Sequence, residues 1–172
     1  MKIAVLIANG SEEIEALTPV DVLRRANVCV DLISVSGEIV LGSHGIAIKA
    51  DKLVQDVYFK DYDAIVVPGG MPGATNIASN KSAVEGLKEV MARGALIASI
   101  CASPAVVLAE NGLIGKNKAT CYPASQFVKA LGESYTGVDV EISGNLITAD
   151  GPKSAFKFSL AICDYLGINP AF

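Results

Sequence analysis

What most constrains the fold is an alternation of short, continuous apolar runs with stretches of helical spacing. Lys2–Ala8, Cys29–Val35, Ala64–Val67 and Ala95–Ile100 are rich in Ile, Val, Leu and Ala. Strands buried on both faces read this way, and they require helices above and below a mainly parallel sheet. The intervening segments supply those helices. Glu13 to about Ala26 carries apolar residues at 14, 17, 20 and 23, with Ser11 as a candidate cap and a kink or break expected near Thr18 because of Pro19. Asn80–Arg93 is amphipathic and ends at Gly94, a suitable C-cap. Ser103-Pro104 opens a further helix, Ser125–Leu131 is helical and Lys153–Leu166 closes the chain.

Three segments depart from the parallel pattern. Glu38–Lys49 reads as an antiparallel hairpin around Gly42–Gly45. Lys118–Cys121 reads as a short strand, and Val138–Ile142 pairs with Leu146–Ala149 across Ser143-Gly144-Asn145. No long linker, repeat or low-complexity stretch divides the 172 residues, so a single domain over 1–172 is expected.

Charge and cysteine usage exclude several function classes. With 14 Lys+Arg against 18 Asp+Glu the formal net charge is −4, which argues against a nucleic-acid backbone binder. No apolar run reaches the roughly 18 residues that span a bilayer, and the N-terminus is too quickly interrupted for a signal peptide. A soluble cytoplasmic protein with no membrane partner is expected. The four cysteines, at 29, 101, 121 and 163, form no CxxC pair, and the only histidine is His44. A Cys/His zinc site and a disulfide scaffold are both disfavoured. Cys29 and Cys163 lie in apolar patterns, where burial should raise the thiol pKa and block access.

In open α/β sheets ligands bind beyond the carboxyl ends of the strands. Asn9–Glu15, Pro68–Gly73 and Cys101–Pro104 follow three such ends. Ser99-Ile100-Cys101-Ala102-Ser103 resembles a nucleophile elbow, with small residues two before and two after the reactive one. Cys101 would face a helix N-terminus, which favours the thiolate and lowers its pKa. Gly69-Gly70 allows backbone amides to approach a ligand, so Gly70 and Ala102 are candidate oxyanion donors. Glu12 and Glu15 share a helix face and Glu13 points away. Helix-terminus electrostatics account for Glu12 and Glu13. Glu15, flanked by Ile14, Ala16 and Leu17, is the candidate buried carboxyl: protonated at rest, it would hydrogen-bond the Cys101 sulfur and act as acid and base.

The stretches GSEEIEALTPVDVLRRA, DAIVVPGGMPGATN, ASICASPAVVLAENGLI and ADGPKSAFKFSLAI, in that order and covering nearly the whole chain, resemble the ThiJ/PfpI superfamily, in the branch of the Parkinson-disease-associated protein deglycase. The resemblance implies an α/β flavodoxin-like three-layer sandwich, a homodimer, a nucleophilic or oxidation-sensing Cys101 with Glu15 as its partner acid, and oxyanion amides at Gly70 and Ala102. It implies a cofactor- and metal-independent glyoxalase or deglycase acting on 2-oxoaldehydes such as methylglyoxal or on their protein adducts. The same thiol allows a second reading, an oxidative-stress sensor or chaperone without turnover.

Two departures matter. The branch commonly carries a histidine before a proline near the cysteine; Thr120-Cys121-Tyr122-Pro123 has Tyr122 there. A phenol is a poor general base at neutral pH, so Tyr122 is left as a substrate hydrogen-bonding residue and a cysteine peptidase is disfavoured. The Arg-Gly-Pro of the superfamily is Asp150-Gly151-Pro152, which weakens an arginine anchor for anions. By residue order His44, in the hairpin turn, matches a position at the subunit interface, from which it would reach the partner's cysteine or bind an anionic product.

Overall fold

The computed structural model describes residues 1–172. In chain order the main strands and helices are β1 Lys2–Ile7, α1 Glu13–Arg25, β2 Cys29–Ser34, β3 Ile39–Leu41, β4 Ala47–Lys49, β5 Lys52–Leu53, β6 Ala64–Val67, α2 Gly73–Ala78, α3 Lys81–Ala92, β7 Leu96–Ile100, α4 Ser125–Leu131, β8 Val140–Ser143, β9 Leu146–Ala149 and α5 Ala155–Leu166. A π-helical segment, Pro104–Leu108, follows β7.

Seven strands form one sheet in the order β5-β2-β1-β6-β7-β9-β8, parallel except for β8 against β9. β1, β6 and β7 are buried along almost their whole length, as their continuous apolar runs require. Side chains alternate between two cores. Leu6, Ile65 and Ile97 point into one with α3 and the π-helical segment; Val5, Val66 and Ala98 point into the other with α1 and α5. The cores hold 25 and 24 buried residues, so both faces are covered about equally and the architecture is a flavodoxin-like three-layer sandwich. The chain turns from β1 to β2 on one side and later to β6 on the other, which makes the β1–β6 boundary the topological switch point.

Some expectations are corrected. α1 runs unbroken through Pro19; proline removes one helical N–H, and buried Ala16, Val20 and Leu23 hold the segment against the sheet. The N-cap of α1 is Glu12, whose side chain accepts from the Glu15 N–H at 2.9 Å. Ser11 instead holds the strand end, its hydroxyl accepting from the Ala8 N–H. Lys118–Cys121 is no strand. It makes one bridge, Ala119 to Tyr135, and Thr120 donates its N–H to the Thr148 hydroxyl rather than to a backbone carbonyl. Cys29 is exposed, because it opens β2 at the solvent end of the sheet. No helix is long and apolar enough to cross a membrane.

Candidate active site

β1, β6 and β7 are neighbours, so the segments leaving their carboxyl ends converge. Cys101 immediately follows β7 and has φ +66°, the left-handed region that a non-glycine residue rarely adopts. Its N–H donates to Ala149 O at 2.9 Å and its carbonyl accepts from Tyr122 N–H at 2.8 Å. The strained turn is thus held from both sides, and the Pro104–Leu108 segment carries the chain away at once. Ser103 donates its hydroxyl to Pro68 O at 2.6 Å, tying the elbow to the turn after β6. That tie could have been anticipated only in part, since the small size of Ser103 suits the elbow whatever its hydroxyl bonds.

Gly69 and Gly70 leave no room for side chains. A Cβ on Gly69 would lie 2.7 Å from Cys101 Cβ and 2.8 Å from Glu15 Oε2. Gly70 has φ +81°, and a Cβ there would lie 2.4 Å from Glu12 N. The backbone of Gly69 therefore packs directly against Cys101, with the Gly70 amide next along the same turn.

Glu15 lies in the first turn of α1 and is fully buried. Its Oε2 accepts from the Gly69 N–H at 2.8 Å, while Oε1 has no conventional partner. The carboxyl stands beside the Cys101 side chain, since one Cβ on Gly69 would touch both. Burial raises its pKa to about 7, against the Gly69 amide and the thiol and with help from the charges of Glu12 and Asp150. The Cys101 thiol is pushed up to about 12, by burial first and by the Glu15 charge next, with the Gly70 and Ala102 amides pulling the other way. This corrects the expectation of an acidic thiol. The amides act in the expected direction, but desolvation and a like charge outweigh them. Each charge opposes the other, so the two groups form a coupled pair in which both pKa values are raised.

Tyr122 is half-exposed and borders the elbow through its N–H bond to the Cys101 carbonyl, with its ring 3.4 Å from where a Cβ on Gly151 would stand. Cys121 is buried with its thiol pushed up to about 11 by desolvation, and Cys163 is buried too. His44 sits in the β3–β4 turn with a largely exposed ring, 2.9 Å from Glu13 Oε2 and 3.6 Å from Glu12 Oε1. It is held beside the start of α1 and not against Cys101 of its own chain. Glu13 is more than a helix-terminus charge. Its buried carboxylate accepts from the N–H groups of His44 and Ile46, the Ser43 hydroxyl and the His44 ring, locking the hairpin to α1. Burial opposes its ionisation, but these bonds hold its pKa at about 2.

A cysteine on a left-handed turn after β7, beside a fully buried carboxyl and the close-packed Gly69-Gly70 backbone, marks a candidate cysteine-centred α/β site. The DJ-1/PfpI family model matches residues 1–165, and the chain belongs to that family. It is 36 % identical over 166 residues to the zebrafish (Danio rerio) Parkinson disease protein 7 homolog, covering 94 % of this chain and 87 % of that protein. It is 36 % identical over 156 residues to a Caenorhabditis elegans protein named glutathione-independent glyoxalase DJR-1.2, covering 91 % and 83 %. Protein DJ-1 homolog B of Arabidopsis thaliana is also 36 % identical, over 168 residues, but this chain spans only 38 % of its length. The solved structure of oxidized Toxoplasma gondii DJ-1 superposes with a TM-score of 0.92 at 42 % identity, covering 96 % of this chain and 90 % of that one.

Proposed function

We propose that the protein is a cofactor-independent glyoxalase or deglycase that uses Cys101 on 2-oxoaldehydes such as methylglyoxal or on their early protein adducts. The observation that carries this reading is the fully buried Glu15 carboxyl, unpartnered at Oε1, standing beside Cys101. The nucleophile is the pair with one proton lost, and the pair reaches that state near pH 7 without a histidine. The sulfur adds to the aldehyde carbon, and the resulting oxyanion takes the proton that the pair retained, giving a hemithioacetal and leaving Glu15 as carboxylate. Glu15 as carboxylate removes the remaining hydrogen from that carbon as a proton and returns one to the adjacent carbon, while the hemithioacetal hydroxyl proton passes to the neighbouring carbonyl oxygen. The product is the thioester of a 2-hydroxy acid. Water cleaves the thioester, releasing the acid and restoring the thiol. The amides of Gly70 and Ala102 stabilise negative charge on sulfur and oxygen, and Tyr122 borders the site as a substrate hydrogen-bonding group.

The reading extends to a homodimer. Ile14 and Leu17 on one face of α1, with Ile39, Leu41 and Ile46 on the hairpin, are exposed apolar residues on two elements that Glu13 locks together. A two-fold interface would cover that face and bring His44 toward the other subunit's site.

The test is conversion of methylglyoxal to lactate without glutathione by the purified protein and by Cys101→Ala. Turnover that vanishes in the variant supports the reading. Absence of turnover in the wild type, with Cys101 oxidised reversibly by peroxide, would favour the sensor reading; the oxidized state named for the Toxoplasma relative is the observation behind that alternative.

A further inference from the structure

The residue that follows β9 stands beside the elbow. Ala149 O accepts from the Cys101 N–H at 2.9 Å, so Asp150 is the next residue along from a direct contact with the reactive turn. Its carboxylate is fixed. Oδ1 accepts from the Ser154 hydroxyl at 2.5 Å, Oδ2 lies 3.0 Å from Lys153 Nζ, and the side chain is 12 % exposed. Lys153 is a weak counter-charge here, since it is 72 % exposed and also pairs with Asp139 at 3.4 Å. On the other side of the site Glu12 is buried and caps α1, with the exposed His44 ring 3.6 Å away as its nearest basic group. Glu12 is bonded to the Glu15 N–H, Asp150 follows the carbonyl bonded to the Cys101 N–H, and Glu15 itself stands beside Cys101.

We infer that the Cys101 site selects uncharged carbonyl compounds and excludes those bearing a carboxylate, and that Asp150, with Glu12, sets this selection. A substrate carboxylate at Cys101 would add to the negative charge of Glu15, Glu12 and Asp150, whose nearest basic groups, His44 at 3.6 Å from Glu12 and Lys153 at 3.0 Å from Asp150, are largely exposed. A 2-oxoaldehyde such as methylglyoxal carries no charge and pays no such penalty, whereas glyoxylate, an aldehyde of similar size, carries one negative charge. A unit charge within about a nanometre at a protein surface changes the local concentration of an ionic reactant by roughly three- to tenfold. This inference rests on the reading of Cys101 as the reacting group, and its test does not need turnover.

Competitive alkylation of the full chain by iodoacetamide (neutral) and iodoacetate (anionic), read per cysteine by mass spectrometry at low ionic strength, supplies that test. Exposed Cys29 is the internal reference, lying in register with Lys2 and near Lys52. The iodoacetamide-to-iodoacetate rate ratio at Cys101 should exceed that at Cys29 by about tenfold. It should fall roughly three- to tenfold in Asp150→Asn, rise in Lys153→Gln, and fall when salt screens the wild type. A wild-type ratio equal to that of Cys29, or one that neither Asp150→Asn nor salt changes, overturns the inference. If Asp150→Asn fails to fold, Lys153→Gln and the salt titration decide it alone. Turnover of methylglyoxal and glyoxylate forms a second arm. A protein that turns over neither but keeps the alkylation ratio contradicts the proposed function and leaves the charge selection standing.

Discussion

Replacing Glu15 by Gln should stabilise the fold while impairing the chemistry. The wild-type carboxyl is buried and its pKa is raised from the ordinary 4.5 to about 7. An acid whose folded pKa lies above its unfolded value costs stability as pH rises between the two. Below about 4.5 both states hold the proton and nothing is lost. Between 4.5 and 7 the unfolded chain has released it and the folded chain has not, so stability falls with pH; above 7 the loss is complete. At 1.36 kcal/mol per pKa unit the full loss is about 3 kcal/mol. Gln is nearly isosteric, its oxygen can accept from the Gly69 N–H and its amide can donate to the Cys101 sulfur, so it retains the contacts without the buried charge. Urea unfolding of both proteins from pH 4 to 8 should show the stability difference growing by about 3 kcal/mol in favour of the variant. A difference that stays flat with pH, or that moves toward the wild type, refutes the assignment of Glu15 as a buried, shifted acid. Turnover should fall by about 10²-fold or more, the contribution of a general acid–base group.

Gly69→Ala should lose both turnover and Cys101 alkylation, because the new methyl would occupy the 2.7–2.8 Å space against Cys101 Cβ and Glu15 Oε2; normal alkylation in a folded variant would contradict the close approach. Glu13→Ala should destabilise the protein by about 2–4 kcal/mol and remove hydrogen-exchange protection from the His44 and Ile46 amides, which lose a charged acceptor. Iodoacetamide should label Cys29 readily and leave Cys121 and Cys163 protected in the native state; rapid native labelling of Cys163 would mean that the α5 packing is wrong. His44→Ala should reduce activity if the hairpin meets a second subunit's site. If sedimentation shows a dimer and the variant's activity is unchanged, His44 serves the turn alone.

The strands and the elbow were legible because their causes are local. A continuous Ile/Val/Leu run can be satisfied only by burial on both faces, and the elbow needs small residues at fixed offsets from Cys101. Glu15 was found by its apolar neighbours in the first turn of α1. What escaped depends on partners remote in sequence. Glu13 and the hairpin amides are 31 and 33 residues apart, so nothing near Glu13 reveals that its carboxylate anchors β3 and β4. Asp31 reads as a charge inside an apolar strand, but Tyr62 and Lys52 bind its carboxylate at 2.7 and 2.8 Å. The thiol's pKa direction was missed because a helix terminus is visible in sequence, whereas the depth of burial and the charge on Glu15 are not. Cys29 was misplaced because strand composition does not say which end meets solvent.

The proposed chemistry requires Cys101 and Glu15 to share one ionisation, and the pH dependence of Cys101 alkylation in wild type and Glu15→Gln measures that directly. The wild-type rate should rise with a midpoint near pH 7, where the pair loses its first proton. In Glu15→Gln the thiol is the only group left to ionise, and burial holds it up, so the midpoint should move to alkaline pH. The same midpoint in both proteins would contradict the account.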